Sequence, residues 1–223
     1  MIPFKNLTLV AAFLLISVYG YGQQRFTEYN YLGITGGLTQ YDINTDQLNT
    51  EAGQGFMFGF HARGAFYNNF DLVYGINFYN STVGVYGERA LPIAGDGRYI
   101  EYNIQSALIH VLLSVNIVRD HLTLEAGPLL NVSGKLKLDD EAYADYILDG
   151  YNTLRADDIQ DVSKVNFRVM GGLTAGFRKF KLNAQYQYGV TNMLNNLNEK
   201  DLSEIDDIEG HSSTLVLSGI FYF

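Results

Sequence analysis

An alternation of apolar and polar residues with a period of two constrains the fold of this chain more than any other feature. From residue 180 to residue 191, every second residue is apolar, and these are Phe180, Leu182, Ala184, Tyr186, Tyr188 and Val190. The other residues of this stretch are Lys, Asn, Gln, Gly and Thr. Successive side chains of a strand point to opposite faces, whereas those of a helix repeat every 3.6 residues. The pattern therefore predicts a β-strand, and residues 165–178 repeat it.

The same alternation along the chain predicts eight strands, at residues 29–41, 54–67, 70–85, 98–118, 122–137, 165–178, 180–192 and 211–223. Three connections are tight, at Asn68 and Asn69, at residues 119–121 and around Lys179. The other four are long, at residues 42–53, 86–97, 138–164 and 193–210. Tight and long connections alternate without exception, which is typical of outer-membrane barrels with short periplasmic turns and long external loops. We therefore expect an all-β, eight-stranded, up-and-down antiparallel transmembrane β-barrel with periplasmic N- and C-termini.

The fourth predicted strand is too long for one clean alternation. Glu101, Asn103 and Gln105 share one face, yet His110 and Ser114 lie on the opposite parity. A β-bulge near Ser106 and Ala107 would reset the two faces. A short helix around residues 141–148 is also expected, within the long loop at 138–164.

The first 22 residues have the pattern of a cleaved secretory signal peptide. Lys5 precedes an apolar run from Leu7 to Val18, and Gly20 and Gly22 are the small residues that a signal peptidase needs. The expected mature domain is 23–223, in which no segment is apolar over the length of a spanning helix. A mature chain that crosses a membrane must then do so as a closed barrel.

Composition excludes several kinds of site. The chain has no Cys, which excludes disulfides, thiolate metal sites and cysteine nucleophiles. Its net charge of -9 argues against a nucleic-acid-binding protein. The loops at 138–164 and 193–210 hold fourteen of the 24 acidic residues and three of the 15 basic ones. Exposure to solvent is the ordinary explanation for so many acidic residues in a loop. Calcium binding by these loops is a weaker alternative, because the ligand spacing of an EF-hand is absent. No metal, cofactor or catalytic residue is predicted.

Aromatic residues bunch beside the tight turns and at the C-terminus, where a membrane interface would lie. In a soluble sandwich they would spread along the strands. The expected periplasmic aromatic girdle comprises Phe66, Phe70, Phe177, Phe180, Phe221 and Phe223.

Several polar and charged residues fall on the inward parity of the strands. Arg63 and Glu125 lie at matching distances from their tight turns, so they are predicted to share one buried ion network. The interior of an eight-stranded barrel is just wide enough for side chains to fill, so a large pore is not expected. The predicted polar network of the lumen comprises His61, Arg63, His110, Glu125 and Arg168.

In several of its predicted strands, the chain resembles the PorT-type outer-membrane β-barrel proteins of the Bacteroidota. The resemblance is carried by YLGITGGLTQYDI, GFMFGFHARGAFYNNFDLVYGINFY, LTLEAGPLLNVSGKLKL, GLTAGFRKFKLNAQYQYGVTNM and LVLSGIFYF. The terminal Phe223 resembles the signal read by the outer-membrane assembly machinery. The resemblance implies an outer-membrane barrel, in some members an accessory of protein secretion, and no catalytic residues.

The expected function is non-enzymatic: a barrel in the outer-membrane lipid that presents long acidic extracellular loops to a secretion or envelope protein partner. The alternatives are a narrow channel, a soluble lipocalin-type barrel and a lipid-modifying hydrolase. The hydrolase alternative depends on His211 and Ser213, which share a strand face, with Glu209 to orient the imidazole.

Overall fold

The computed structural model describes residues 29–89, 97–200, 202, 204 and 207–223, so the predicted signal peptide at 1–22 lies outside the described residues. The strands are β1 (Asn30–Asn44), β2 (Thr50–Tyr67), β3 (Phe70–Glu88), β4 (Arg98–Val118), β5 (Leu122–Ser133), β6 (Lys137–Leu138), β7 (Ile147–Leu148), β8 (Val165–Gly176), β9 (Phe180–Gly189) and β10 (His211–Tyr222). The helical elements are two single 3-10 turns (Glu141–Tyr143 and Asp158–Gln160) and α1 (Asn195–Asn198).

Eight long antiparallel strands close into a ring. In order around the ring they are β1, β2, β3, β4, β5, β8, β9 and β10, so each pairs with the next long strand along the chain. The ring closes between the first and the last, from Gly33 opposite Tyr222 to Asn44 opposite His211. The predicted eight-stranded, up-and-down antiparallel barrel is confirmed.

The three predicted tight connections lie at one end of the barrel, here named the turn end, and the long connections lie at the loop end. Asn68 and Asp120 adopt positive φ angles of 48° and 65° in two of these turns. Short polar side chains tolerate this left-handed conformation better than branched or bulky ones do. Strand β1 begins and strand β10 ends at the turn end, as their pairing shows.

The predicted bulge near Ser106 and Ala107 is wrong, because β4 keeps one unbroken register with β3 from Phe70 to Gly87. The irregularity lies in the neighbouring segment of chain. Between the pairs Ser106–Ser133 and Asn103–Lys137, β4 advances by three residues while its partner advances by four. One extra residue is therefore accommodated at Gly134 and Lys135, between β5 and β6, which is a β-bulge.

The change of pattern in β4 has another cause. Residues 100, 102 and 104 are apolar and buried inside the barrel, whereas Glu101 and Gln105 point outward. Both faces thus invert in polarity along one continuous strand: toward the loop end, the outside becomes polar and the inside becomes apolar.

The inverted segment encloses the larger of two buried apolar clusters, here named the loop core. It joins strand residues to residues of the long connections, and comprises Tyr41, Ile43, Leu48, Val83, Val85, Ile100, Tyr102, Ile104, Leu136, Leu138, Tyr146, Leu148, Leu154, Ala156, Ile159, Val162, Met193, Leu194, Leu197 and Ile208. The helix expected around residues 141–148 is wrong apart from its first turn. Instead, Ile147 and Leu148 extend the sheet as β7 and bury Leu148 in this core.

Candidate functional site

A belt of apolar side chains covers the outer face of the barrel. Leu38 on β1 and Leu217 on β10 are 72% and 58% exposed. Other exposed members, taken from the remaining long strands, are Phe56, Phe58, Phe60, Tyr74, Ile109, Val111, Leu113, Leu124, Val132, Phe167, Val169, Leu173, Leu182 and Tyr186. Soluble monomers rarely expose a contiguous apolar patch of more than a few hundred Å². This belt has the character of a surface that faces lipid.

The six aromatic residues proposed as a girdle lie at the turn end of this belt. Phe66, Phe177 and Phe223 are strongly exposed, and Phe70, Phe180 and Phe221 occupy outward positions of β3, β9 and β10. At the opposite border the outward positions turn polar, with Gln40, Gln54, Asn80, Gln105 and Ser213. No helix among the described residues has the length and hydropathy to cross a membrane.

The interior near the turn end holds a buried ion network centred on Arg63. Its guanidinium donates through Nη2 to the carboxylate of Glu125, and through Nη1 to Asp71 Oδ2 at 3.2 Å. All three residues are at most 3% exposed. Burying such charges is costly unless they are paired and hydrogen-bonded.

Hydroxyl groups complete the shell around the Glu125 carboxylate. Thr174 Oγ1 donates to Oε2 at 2.9 Å, and Thr123 Oγ1 donates to Oε1 at 3.2 Å. Asn183 in turn donates to the Thr174 hydroxyl at 2.9 Å. These residues come from β5, β8 and β9, so the network ties together strands that are far apart in the sequence. Such partners could be anticipated only as polar residues on the inward parity.

The other predicted lumen residues face the interior but form two further groups. The rings of His61 and His110 lie 4.8 Å apart, and His61 Nε2 is 3.2 Å from Asn77 Oδ1. Arg168 lies nearer the loop end, donating to Thr214 Oγ1 at 3.3 Å with its guanidinium 5.8 Å from the centre of the Tyr41 ring. The structure thus brings Arg63 and Glu125 together, pairs the two histidines, and holds Arg168 apart.

Side chains fill the interior almost completely. A cavity of about 10 Å³ beside His61 and His110 is large enough for the centre of about one water molecule. Toward the loop end, the loop core follows directly, with Leu136, Leu194 and Leu197 fully buried. In the described part of the chain, the interior beside the two histidines and the mouth above it are thus occupied mainly by side chains.

The long connections fold over the loop core as one structure, here named the loop cap: the described residues of 134–164 and 190–210. The backbone hydrogen bond from Ser163 N to Met193 O links the two segments, and the one from Met193 N to Gly210 O joins the two ends of the second segment; each is 2.8 Å long. Sequence reasoning interpreted these segments as solvated acidic loops and missed their buried side. The available signal was the set of Leu, Ile and Val residues interspersed among the acids.

Glu204 makes a second link within the loop cap. Its carboxylate accepts hydrogen bonds from the backbone N–H of Asn152 at 2.8 Å and of Thr153 at 2.7 Å, and from the Asn152 side chain at 3.0 Å. These donors favour the charged form and lower the pKa of Glu204 to about 2. Partial burial, and then the charge of Glu204, raise the pKa of Tyr151.

The arrangement considered for a hydrolase does not bring its residues into a catalytic contact. His211 Nδ1 lies 3.0 Å from the Gly189 carbonyl oxygen, and the ring stacks on Tyr188 at 5.7 Å. No hydrogen bond between His211 and Ser213 occurs among the described residues. In the same part of the chain, no group of three His, Asp or Glu residues is placed to hold a metal ion.

No protein-family model matches the sequence, and no curated protein matches it. Among solved structures, the chain is similar to Neisserial surface protein A, with 9% identity, a TM-score of 0.47, and 86% of this chain and 97% of that chain covered. It is also similar to Ail, the attachment invasion locus protein of Yersinia pestis, in complex with the heparin analogue sucrose octasulfate (15% identity, TM-score 0.46, 87% and 99% covered). A third is the outer membrane protein OprG from Pseudomonas aeruginosa (10% identity, TM-score 0.45, 88% and 97% covered).

Proposed function

We propose that this chain is a non-enzymatic barrel of a bacterial outer membrane that presents a folded, acidic loop cap to a protein partner outside the membrane. The turn end and both ends of the barrel domain face the periplasm. The partner belongs to a protein-secretion or envelope-assembly machine, the role that the PorT-type resemblance implies. Phe223 serves as the recognition residue for the assembly machinery.

The observation that carries this proposal is the loop core. Ordinary solvated loops bury little, whereas these segments place Leu136, Ile159, Leu194 and Leu197 at full burial over the mouth of the barrel. Ordering such loops costs conformational entropy, which the buried apolar area offsets. A packed cap closes the lumen, which disfavours a channel, and holds its outer surface in one shape, which favours recognition.

The charge of the cap indicates the kind of surface that it offers. Asp139, Asp140, Glu141 and Asp145 are exposed, and Asp145 forms an ion pair with the exposed Arg155 at 2.9 Å. A surface of one sign steers association with a partner of the opposite sign and fixes the orientation of docking. We therefore expect a basic complementary surface on the partner.

A native gel of a mild-detergent extract of outer-membrane fractions, blotted for this chain, tests the proposal. We expect a discrete complex larger than the monomer. The triple substitution Asp139→Asn, Asp140→Asn, Glu141→Gln should release the monomer from it. The matched control is Asp120→Asn at the turn end, which removes a carboxylate and keeps a residue that tolerates positive φ. A lone monomer for the native chain, or absence from the outer-membrane fraction, would overturn the proposal.

A further inference from the structure

The outer wall of the barrel carries a groove of about 560 Å³ at the border between the apolar belt and the polar rows of the loop end. Phe56, Phe58 and Phe78 line it from β2 and β3, and Val132 lines it from β5. The rings of Phe58 and Phe78 stack with their centres 5.2 Å apart. An apolar chain lying in the groove would therefore contact aromatic rings along one side.

The groove lies beside the β-bulge, where glycine and other small residues line it. Gly134 has no side chain, and the neighbouring positions of β4 are the small residues Ser106 and Ala107. The backbone at Gly134 is held in place by its N–H, which donates to the Gln105 carbonyl oxygen at 2.9 Å. Backbone and small side chains thus form this side of the depression, opposite the aromatic rings.

Two exposed lysines lie where the groove meets the polar rows. Lys135 follows Gly134, and Lys137 stands opposite Asn103, whose side chain donates to Asn80 at the groove edge at 2.6 Å. Neither lysine forms an ion pair within the described ranges of the chain. Acidic residues follow the lysines toward the loop end. Asp139 and Glu101 are neighbours there, because Asp139 N donates to the Glu101 carbonyl oxygen. The lysines therefore form a narrow positive strip at the edge of the loop cap, between the apolar belt and the acidic residues of the cap.

A second groove on the belt shows what sets the first apart. It measures about 580 Å³, and Leu38, Leu173, Leu182 and Leu217 are among its lining residues. No charged residue lines either groove, but Gly134, which lines the first, is followed directly by the exposed Lys135. Any acyl chain of the surrounding lipid suits the second groove, whereas the first combines an apolar trough with unpaired positive charge at its outer edge.

We propose that the first groove and its lysines form a binding site for lipid A, the phosphorylated glycolipid of the outer leaflet. One acyl chain lies against Phe56, Phe58 and Phe78, and a phosphate accepts charge-assisted hydrogen bonds from Lys135 and Lys137. Basic residues near a membrane surface attract anionic lipid headgroups in this way. The choice of lipid A rests on the proposed function, because only an outward loop end puts the groove in the outer leaflet.

Native mass spectrometry of the full-length protein, folded into mild-detergent micelles, tests the site. The probes are bisphosphorylated lipid A, dephosphorylated lipid A and phosphatidylglycerol, each at equal concentration. We expect one bisphosphorylated lipid A to be retained in preference to the other two. The double substitution Lys135→Gln, Lys137→Gln should weaken this retention by about tenfold or more. Lys179→Gln, at the turn end, is the charge control and should leave it unchanged.

A second pair of variants tests the apolar half. A Cβ added at Gly134 would meet only the Gln105 carbonyl oxygen at 3.6 Å, so the backbone accepts a side chain there, and Gly134→Phe adds a ring to the lining of the groove. We expect this variant to lose lipid A as the lysine variant does. Gly171→Phe puts the same ring on the belt at a position with nothing within 4 Å and outside both grooves, and should retain the lipid.

Equal retention of phosphatidylglycerol, or retention that both sets of variants leave intact, would overturn the site. Insertion of each variant into vesicles, read as heat-modifiable migration on a gel, is measured in parallel. A barrel that inserts but retains no lipid A refutes this inference alone. A barrel that fails to insert refutes the proposed outer-membrane function as well.

Discussion

The guanidinium of Arg63 on β2 donates to the carboxylate of Glu125 on β5, across the inside of the barrel. Two strands, β3 and β4, separate these residues around the ring, and 62 positions separate them in the chain. The same guanidinium holds Asp71 on β3. One guanidinium thus forms ion pairs with two buried carboxylates.

Arg63→Met is expected to lower the free energy of unfolding by about 3–5 kcal/mol, because it leaves two buried carboxylates without their cation. Urea unfolding of the barrel from lipid vesicles measures this loss. Arg155→Ala serves as the control, since its ion pair with Asp145 is 57% and 87% exposed and should contribute about 0–1 kcal/mol. Equal losses for the two variants would contradict a central role for Arg63.

Leu197→Ala should loosen the loop cap while leaving the barrel folded. Leu197 is fully buried in the loop core, and truncation of a buried Leu costs about 2–5 kcal/mol of packing. We expect faster tryptic cleavage after Lys200 and Arg155, with unchanged heat-modifiable migration of the barrel. Leu38→Ala on the outer belt is the control and should leave cleavage slow. Equal cleavage rates would show that the cap does not depend on this packing.

Glu204 should make the cap sensitive to acid. Because its pKa is lowered from 4.5 to about 2, its hydrogen bonds contribute fully above pH 4.5 and are lost as pH falls toward 2. The amides of Asn152 and Thr153, which donate to Glu204, should therefore lose protection against hydrogen exchange as the pH falls over that range. In Glu204→Gln, this pH dependence should disappear. A carboxyl titration midpoint near 4.5 for Glu204, measured by NMR, would refute the lowered pKa.

Leu217→Arg should destabilise the inserted barrel by about 2–4 kcal/mol, the cost of a cation near the middle of a lipid-facing surface. Leu217 lies within the outward series of β10, between Phe221 at the turn end and Ser213 at the loop end. Ser213→Arg, at the polar border, should cost about 0–1 kcal/mol. Folding measured in vesicles distinguishes the two, and similar costs would mean that lipid does not cover the belt.

The native barrel should pass no unitary currents in a planar bilayer. Its interior leaves a cavity of about 10 Å³, and the loop core closes the mouth. Current steps that persist after further purification would contradict the closed lumen and favour the channel alternative.

The strands and tight turns were predictable from the sequence because their signals are local. Alternation over residues 180–189 requires no knowledge of neighbours, and Asn68 and Asp120 mark turns through their own backbone preferences. The loop core was not predictable in this way. Leu136 and Leu197 lie in connections that are mostly polar and acidic, and only their convergence over the closed ring shows that both are buried.

By itself, the sequence determined that eight alternating strands would form and which residues share a face, since the pleat sets side-chain direction at each step along the chain. Alternation alone does not say which face points outward, and the tertiary structure shows that Leu38 and Leu217 do. It also decided where the extra residue lies, at Gly134 and Lys135 and not at Ser106 and Ala107. The reason is that pairing between strands and closure of the ring are long-range relations, and alternation of period two reads the same from either face.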